Sequence, residues 1–572
     1  ALEDAECKVR RAADYALGNI GAAAVYAVPT LIAALEDVER DVQRAAAFSL
    51  GRIGNAADDA VPALLATARR QDPTLRANAA AALGLVDPTS ADIVATLVRL
   101  LHDEDSDVRC AATRSVGEIG KEAKAATPVL IANVKDADGD FCRYAIEALG
   151  EFGPDAKDAV PVLAEAVNDE YDEIARSAIE TLSKIGLDAK GAVPALAEAL
   201  DHEEPIVRSA AAGLLGSLGA DAKDAVPSLI KALTIAAEED CEREEDDAEM
   251  DQAEPEEWEA GFRCLVAEAL GKIGPDAREA VPALLRALDD DCVRCWASIA
   301  LGEIGAREAI PDLITVLCDD GRPGRDGAIW ALGRIGTEAK EAVPGLIHAL
   351  RDDDEKIRMR AAEALGRMGA EAEHAVPALI GALADAFMDV CDNSVEALAK
   401  IVTAAPQETL PLLLNVVLSD TNRIVQHFAV QALCSIGSLA VEALSDALAD
   451  VRFEVRFHSA RTLGQMGPTA QAAVPALVRM LSGDTADIGP SAYALGGIGP
   501  AAREALPILA GFLGHENWRV RAACTEALGR IGIEAENVVQ RLIQTLNDED
   551  HRVRELAGEA LKKIGVSPAA TV

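Results

Sequence analysis

Two apolar stripes, separated by a short polar turn, recur along almost the whole chain. The stretch from Val343 to Gly369 shows the unit. Val343, Leu346, Ile347 and Leu350 stand at i, i+3, i+4 and i+7, one face of a short helix. Pro344 falls in the first turn of that helix, where its missing N–H forfeits no bond. Asp352, Asp353 and Asp354 make the turn. Ile357, Ala361, Ala364, Leu365 and Met368 then form a second stripe, which Gly369 terminates. Neither helix can bury its stripe alone, so the pattern predicts helix pairs stacked on copies of themselves.

Prolines keep the period. Pro29, Pro62, Pro128, Pro161, Pro194 and Pro227 are multiples of 33 apart, with Ala95 in the empty place. The beat resumes at Pro282, Pro311, Pro344 and Pro377, then loosens through Pro411, Leu444, Pro475, Pro507 and Gln540. A second-helix signature accompanies it: VRRAADYALGNIG from Val9, VRCAATRSVGEIG from Val108, VRSAAAGLLGSLG from Val207. Sixteen first helices and seventeen second helices are read in this way, so residues 1–572 are expected to form a single all-α solenoid. Ala1-Leu2-Glu3-Asp4 repeats Ala34-Leu35-Glu36-Asp37, which places the start mid-repeat, as expected of a fragment or processed product.

Departures from the beat carry information of their own. Between Pro227 and Pro282 lie 22 extra residues, Ala237 to Trp258 (237–258), with Arg243 their only cation. Like-charge repulsion and few apolar anchors predict a disordered acidic loop, with a docking tail for a basic partner as the alternative. Its removal from Glu238 to Glu257 is expected to leave thermal stability unchanged. Asp319 to Gly324 is glycine-rich but lacks a phosphate-loop lysine. Asp487-Ile488-Gly489-Pro490 replaces a helix start, with Pro490 expected as the first helical residue. Residues 386–460 depart most, gaining Phe387, Met388, His427, Phe428, Phe453, Phe457 and His458.

Half the residues are hydrophobic and only 3% aromatic, which suits thin Ala, Val, Leu and Ile layers between closely packed helices. A net charge of −42 repels phosphate backbones and anionic membranes. It favours a protein partner, basic where charge decides, and argues against nucleic acid and membrane. No run of 18 apolar residues is present, so no bilayer span is read, and no signal peptide opens the sequence. The eleven cysteines are scattered, as in a reduced protein, so a cytoplasmic location is expected. Cys292-Val293-Arg294-Cys295 is the only CxxC, followed by Trp296 where haem attachment needs histidine. With Cys264 and Cys318 it could form a zinc site; as small core residues these cysteines need no metal, and no cofactor is expected.

The A-V-P-x-L opening and V-R-x-x-A-A-x-A-L-G-x-I-G close resemble HEAT repeats, most closely the HEAT-like repeats of the phycobilisome-lyase type. The resemblance covers essentially the whole chain. It implies an armadillo-type right-handed superhelix with second helices lining the concave face. It also implies a ladder in which second-helix arginines bond the turn acids of the next repeat, here Arg10, Arg76, Arg109, Arg208, Arg263, Arg294, Arg325, Arg358, Arg456, Arg521 and Arg554. The family contains scaffolds, bilin lyases and deoxyhypusine hydroxylase, whose four His-Glu pairs hold two irons. Here only His202-Glu203 and His515-Glu516 occur, both in turns. Two readings follow: a non-enzymatic protein-binding scaffold, favoured because extended surfaces are what solenoids offer, or a lyase- or hydroxylase-like enzyme.

The binding face can be read from helix geometry. At 100° per residue, Val9, Ala13, Ala16, Leu17 and Ile20 point to the core, and Arg11 and Tyr15 point the opposite way. Following those columns gives one candidate patch at Arg11, Tyr15, Arg44 and Phe48, and another at Trp330, His427, Phe457, Arg461 and Tyr493. Arg143 with Glu147 and Arg176 with Glu180 read as ordinary i, i+4 ion pairs. Phe428, His458 and Trp296, one step round, are expected to pack between repeats.

Overall fold

The computed structural model describes residues 4–87, 89–136, 140–242, 255–419, 422–532 and 536–566. Among the described residues there are helices and turns but no strand. The chain forms two compact units, Ala1–Ile304 and Gly305–Val572, and each is a run of the expected helix pairs.

In the pair that shows the pattern most plainly, Val343–Ala349 is the first helix and Glu355–Met368 the second. Val343, Leu346 and Leu350 are buried, as are Ile357, Ala361, Ala364, Leu365 and Met368; Ile347 is half-buried. The Asp354 carboxylate caps the second helix by accepting the Lys356 N–H at 2.8 Å. Gly369 ends it at a φ of 58°, a conformation side chains resist. Between pairs the chain makes a 3-10 segment that hydrophobic periodicity alone does not reveal. It is Gly369–Ala375 here and Gly336–Ala342 one repeat earlier. Its alanines, three apart as a 3-10 turn requires, are fully buried at Ala372 and Ala375.

Within each unit, second helices pack side by side in one layer, and one position in most of them sets how closely. In the A-L-G triplet the glycine lies against the Cα of a small residue on the next second helix. A Cβ added at Gly51, Gly366, Gly464 or Gly529 would stand 2.7–2.9 Å from Ala82, Ala397, Ala494 or Ala560. Where the opposing residue is Ser49, Ser115 or Thr181, its hydroxyl donates back to a carbonyl of the preceding second helix at 2.6–3.0 Å.

Several expectations are corrected. Pro490 does not open its helix: Thr485–Ile498 begins earlier, capped by Asp484, and Pro490 lies inside. The reason is Asp487, whose buried carboxylate accepts the Arg456 Nε–H, shared between its two oxygens at 3.1 Å, and holds the first turn in place. Pro411 likewise lies inside Pro406–Ser419 rather than marking its start. Of the acidic insertion, Ala237 to Glu242 continues the helix Val226–Glu242, and Pro255 begins the helix Pro255–Ile273. Residues 243–254 of that insertion lie outside the described residues. By length and composition Cys7–Ala34 passes as a membrane span. However, Gly21, at a φ of 69°, ends the helix after 14 residues, about 21 Å against the ~30 Å of a hydrocarbon core.

Candidate binding face

The arginine ladder is a structural device, as the pairing with turn acids implied. Arg358 donates through Nε and Nη2 to both Asp385 oxygens at 2.8 and 3.0 Å, and through Nη1 to the carbonyls of Asp352 and Asp353. Arg10 with Asp37, Arg76 with Asp103 and Arg521 with Asp548 repeat the same fork. Hydrogen bonds from the arginine hold Asp37, Asp103, Asp385 and Asp548 below the usual carboxylate range. Arg109 and Arg208 keep the bonds to their own turns and lie over Phe141 and Phe262 at 5.4 and 5.5 Å. The two His-Glu pairs also find a structural explanation. The Nδ1 atoms of His202 and His515 accept the N–H groups of Glu204 and Asn517 at 3.1 and 3.0 Å. Turn aspartates do the same elsewhere, as Asp352 does for Asp354.

On the outward columns of the second helices, the first patch comes together. Tyr15 and Phe48, 42% and 41% exposed, pack with ring centroids 5.6 Å apart. Arg11 bonds Asp41 at 3.1 Å, and Arg44 pairs with the same carboxylate. Beside them lies an open groove of about 400 Å³ floored by Phe48, Ala81, Leu85 and Cys110 and edged by Arg52 and Arg114. Leu85, 42% exposed, extends the apolar surface and was not among the residues expected.

The second patch comes together only in part. Phe457 packs against Phe453 at 5.9 Å and edge-on to His458 at 5.3 Å. His427 meets Gln431 Nε2 at 3.2 Å. His427 and Arg461 face a common groove. Tyr493, 41% exposed, sits one helix further, under the Arg530 guanidinium at 5.6 Å. Trp330 stands apart and is half-buried on Arg325–Ile335; Glu355–Met368 and Met388–Ala404 intervene before His427. Phe428 is buried as expected and His458 half-buried, whereas Trp296 is 38% exposed rather than packed away. Arg143 with Glu147 and Arg176 with Glu180 form the expected i, i+4 pairs at 2.6 and 3.9 Å.

No three metal-ligating side chains gather among the described residues. Cys264 Sγ donates to the Cys292 carbonyl at 3.3 Å, and no disulfide joins the described cysteines.

These features define an all-α solenoid of stacked helix pairs. A sequence profile of HEAT repeats matches residues 1–84, 61–150, 127–190, 255–327, 322–399, 410–492 and 490–562. The chain therefore belongs to the HEAT-repeat family. No curated protein matches it. Among solved structures it is similar to importin beta in a polyethylene glycol condition, at 14% identity and a TM-score of 0.49, covering 99% of this chain and 94% of that one. It is also similar to Kap95p, the yeast importin beta, in a complex with RanGDP (14%, 0.47; 100% and 87% covered). A third is the karyopherin Kap121p bound to the SUMO protease Ulp1p (15%, 0.44; 98% and 71%).

Proposed function

We propose that this chain is a non-enzymatic scaffold that binds protein on the outward face of its second helices. The observation that carries the reading is the exposure of aromatic and arginine side chains there, in a chain with so few aromatics. Tyr15 and Phe48 pack together in the open, His427 and Arg461 face a common groove, and Phe457 packs edge-on to His458, which lines that groove. Rigid aromatics and arginines are what interface hot spots use. The net charge of −42 supports a partner that is basic as a whole. The repeat signature supports placement in the phycobilisome-lyase-type subfamily, and the scattered cysteines support a cytoplasmic setting. The lyase- or hydroxylase-like alternative has no ligand cluster among the described residues to draw on.

The test is affinity capture with the intact chain and two variants, Tyr15→Ala with Phe48→Ala, and Trp330→Ala with Phe457→Ala and Tyr493→Ala. Loss of a captured protein from either folded variant supports the reading. Retention of every partner by both overturns it.

A further inference from the structure

One step in the second-helix layer differs from the rest. In the helix Arg423–Ile436 the triplet reads Ala432-Leu433-Cys434, so cysteine replaces the close-approach glycine. Within each unit, contact between successive second helices is as full at Ala399 as at Gly117, looser at Ser183, and least where Cys434 faces the helix Phe453–Met466. A second observation agrees. The residue opposite Cys434 is Thr462, and its hydroxyl does not reach the preceding second helix as those of Ser49, Ser115 and Thr181 do. It turns back to its own His458 carbonyl at 2.8 Å. The cysteine thus acts as a wedge.

The gap it opens is a groove of about 350 Å³ lined by Arg423, His427, His458, Arg461 and Gln465, with Thr462 at its base. Among the described residues no carboxylate lines it, in a chain where acids outnumber bases 96 to 54. Neither Arg423 nor Arg461 has an ion-pair partner among the described residues, unlike Arg358, Arg456 and Arg521. Burial and then the Arg461 charge hold the His458 imidazole below its usual range, against the opposing charge of Glu454, consistent with positive potential in the groove. Next to it, Phe457 packs edge-on to the lining residue His458 at 5.3 Å, and Phe453 packs on Phe457 at 5.9 Å.

The geometry points to an oxyanion-binding groove: it takes a carboxylate or phosphate presented on a peptide of a protein partner, beside an apolar residue that packs on Phe453 and Phe457. Two arginines and two imidazoles supply the charge-assisted donors that such a group accepts. This rests on the scaffold reading and refines it. A partner drawn in by the acidic field as a whole is held here by an acidic group of its own.

The probe is a fluorescein-labelled peptide carrying phenylalanine beside two glutamates, titrated into the full chain by fluorescence anisotropy. Versions with phosphoserine or glutamine in place of the glutamates distinguish phosphate, carboxylate and neutral side chains. Saturable binding of either anionic peptide, and not of the glutamine one, is expected. Arg461→Glu, a surface change that leaves the fold intact by circular dichroism, should weaken it by about ten-fold or more. Cys434→Gly should weaken it likewise by restoring close helix approach while touching no groove donor. Equal binding of the glutamine peptide, or insensitivity to Arg461→Glu, overturns the proposal. So does full binding by a folded Cys434→Gly protein. If anionic peptides fail while the Trp330, Phe457 and Tyr493 variant still loses a captured partner, this inference falls and the scaffold reading stands.

Discussion

Asp14 is the least comfortable residue in the first unit. It occupies a second-helix position that holds Ala47, Ala80, Ala212 and Ala362 in other repeats. It is fully buried, and neither carboxylate oxygen has a hydrogen-bond partner. Burial first, and then the nearby Asp37 charge, push its pKa up to about 6, with Arg10 opposing. The folded-state value thus lies above the unfolded value of about 3.9. The native protein keeps this proton longer than the unfolded chain, so stability falls as pH rises from about 4 to about 6 and is level above. A two-unit shift corresponds to at most about 3 kcal/mol at neutral pH. Asp14→Ala removes that penalty and adds about 0.5 kcal/mol of helix propensity. The Ser49 hydrogen bond survives, because it goes to the backbone carbonyl of residue 14. Amide exchange across Cys7–Ile20 and Arg40–Ile53, with thermal melting of the same samples, should show the variant stabilised by about 2–3 kcal/mol above pH 6 and about 0.5 below pH 4. A gain independent of pH, or a loss at pH 7, would refute the reasoning.

Much of the fold was legible because the apolar stripes, the proline in each first helix and the terminal glycine are local signals that point to one answer. The arginine ladder was legible through the resemblance to HEAT repeats, and the forks at Arg10, Arg76, Arg358 and Arg521 follow it. The 3-10 segments were not. Their alanines lie three apart in runs with few larger apolar residues, and such a run reads equally as a loop. The fate of Pro490 depended on Arg456 from the preceding second helix finding Asp487, a tertiary contact invisible to helix-start rules. In the candidate face, helix geometry located Tyr15, Phe48, His427 and Arg461 correctly as outward, but columns do not measure the distance between helices. Trp330 was therefore grouped with side chains three or more second helices away. Conversely, the groove beside Cys434 went unread, although its signal was present as a break in the A-L-G triplet. The meaning of that break required knowing what the glycine touches.

The ladder makes acid sensitivity and interface strength testable together. Arg358→Ala strands the Asp385 carboxylate, which keeps the Phe387 N–H, and should cost about 2–4 kcal/mol by local amide exchange, as Arg521→Ala should at its own step. The ladder acids are depressed in the folded state, so their contribution is complete above about pH 4 and is lost as pH falls through their folded values. Asp385→Asn should therefore shrink the difference between melting at pH 5 and at pH 2.5; an unchanged difference would show that the pair contributes nothing. The close-approach rule gives the last test. A Cβ at Gly366 meets the Ala397 Cα at 2.8 Å, a backbone atom that can yield only if the two helices part. Overpacking of that kind costs about 1–3 kcal/mol, against about 1 kcal/mol gained from replacing a helical glycine. Gly381, on the exposed side of the first helix Val376–Ala382, has nothing within 4 Å of an added Cβ and shows the propensity gain alone. Gly381→Ala should raise the melting temperature, and Gly366→Ala should lower it or leave it level. If both substitutions stabilise equally, second-helix spacing is not set by this glycine, and the wedge assigned to Cys434 loses its basis.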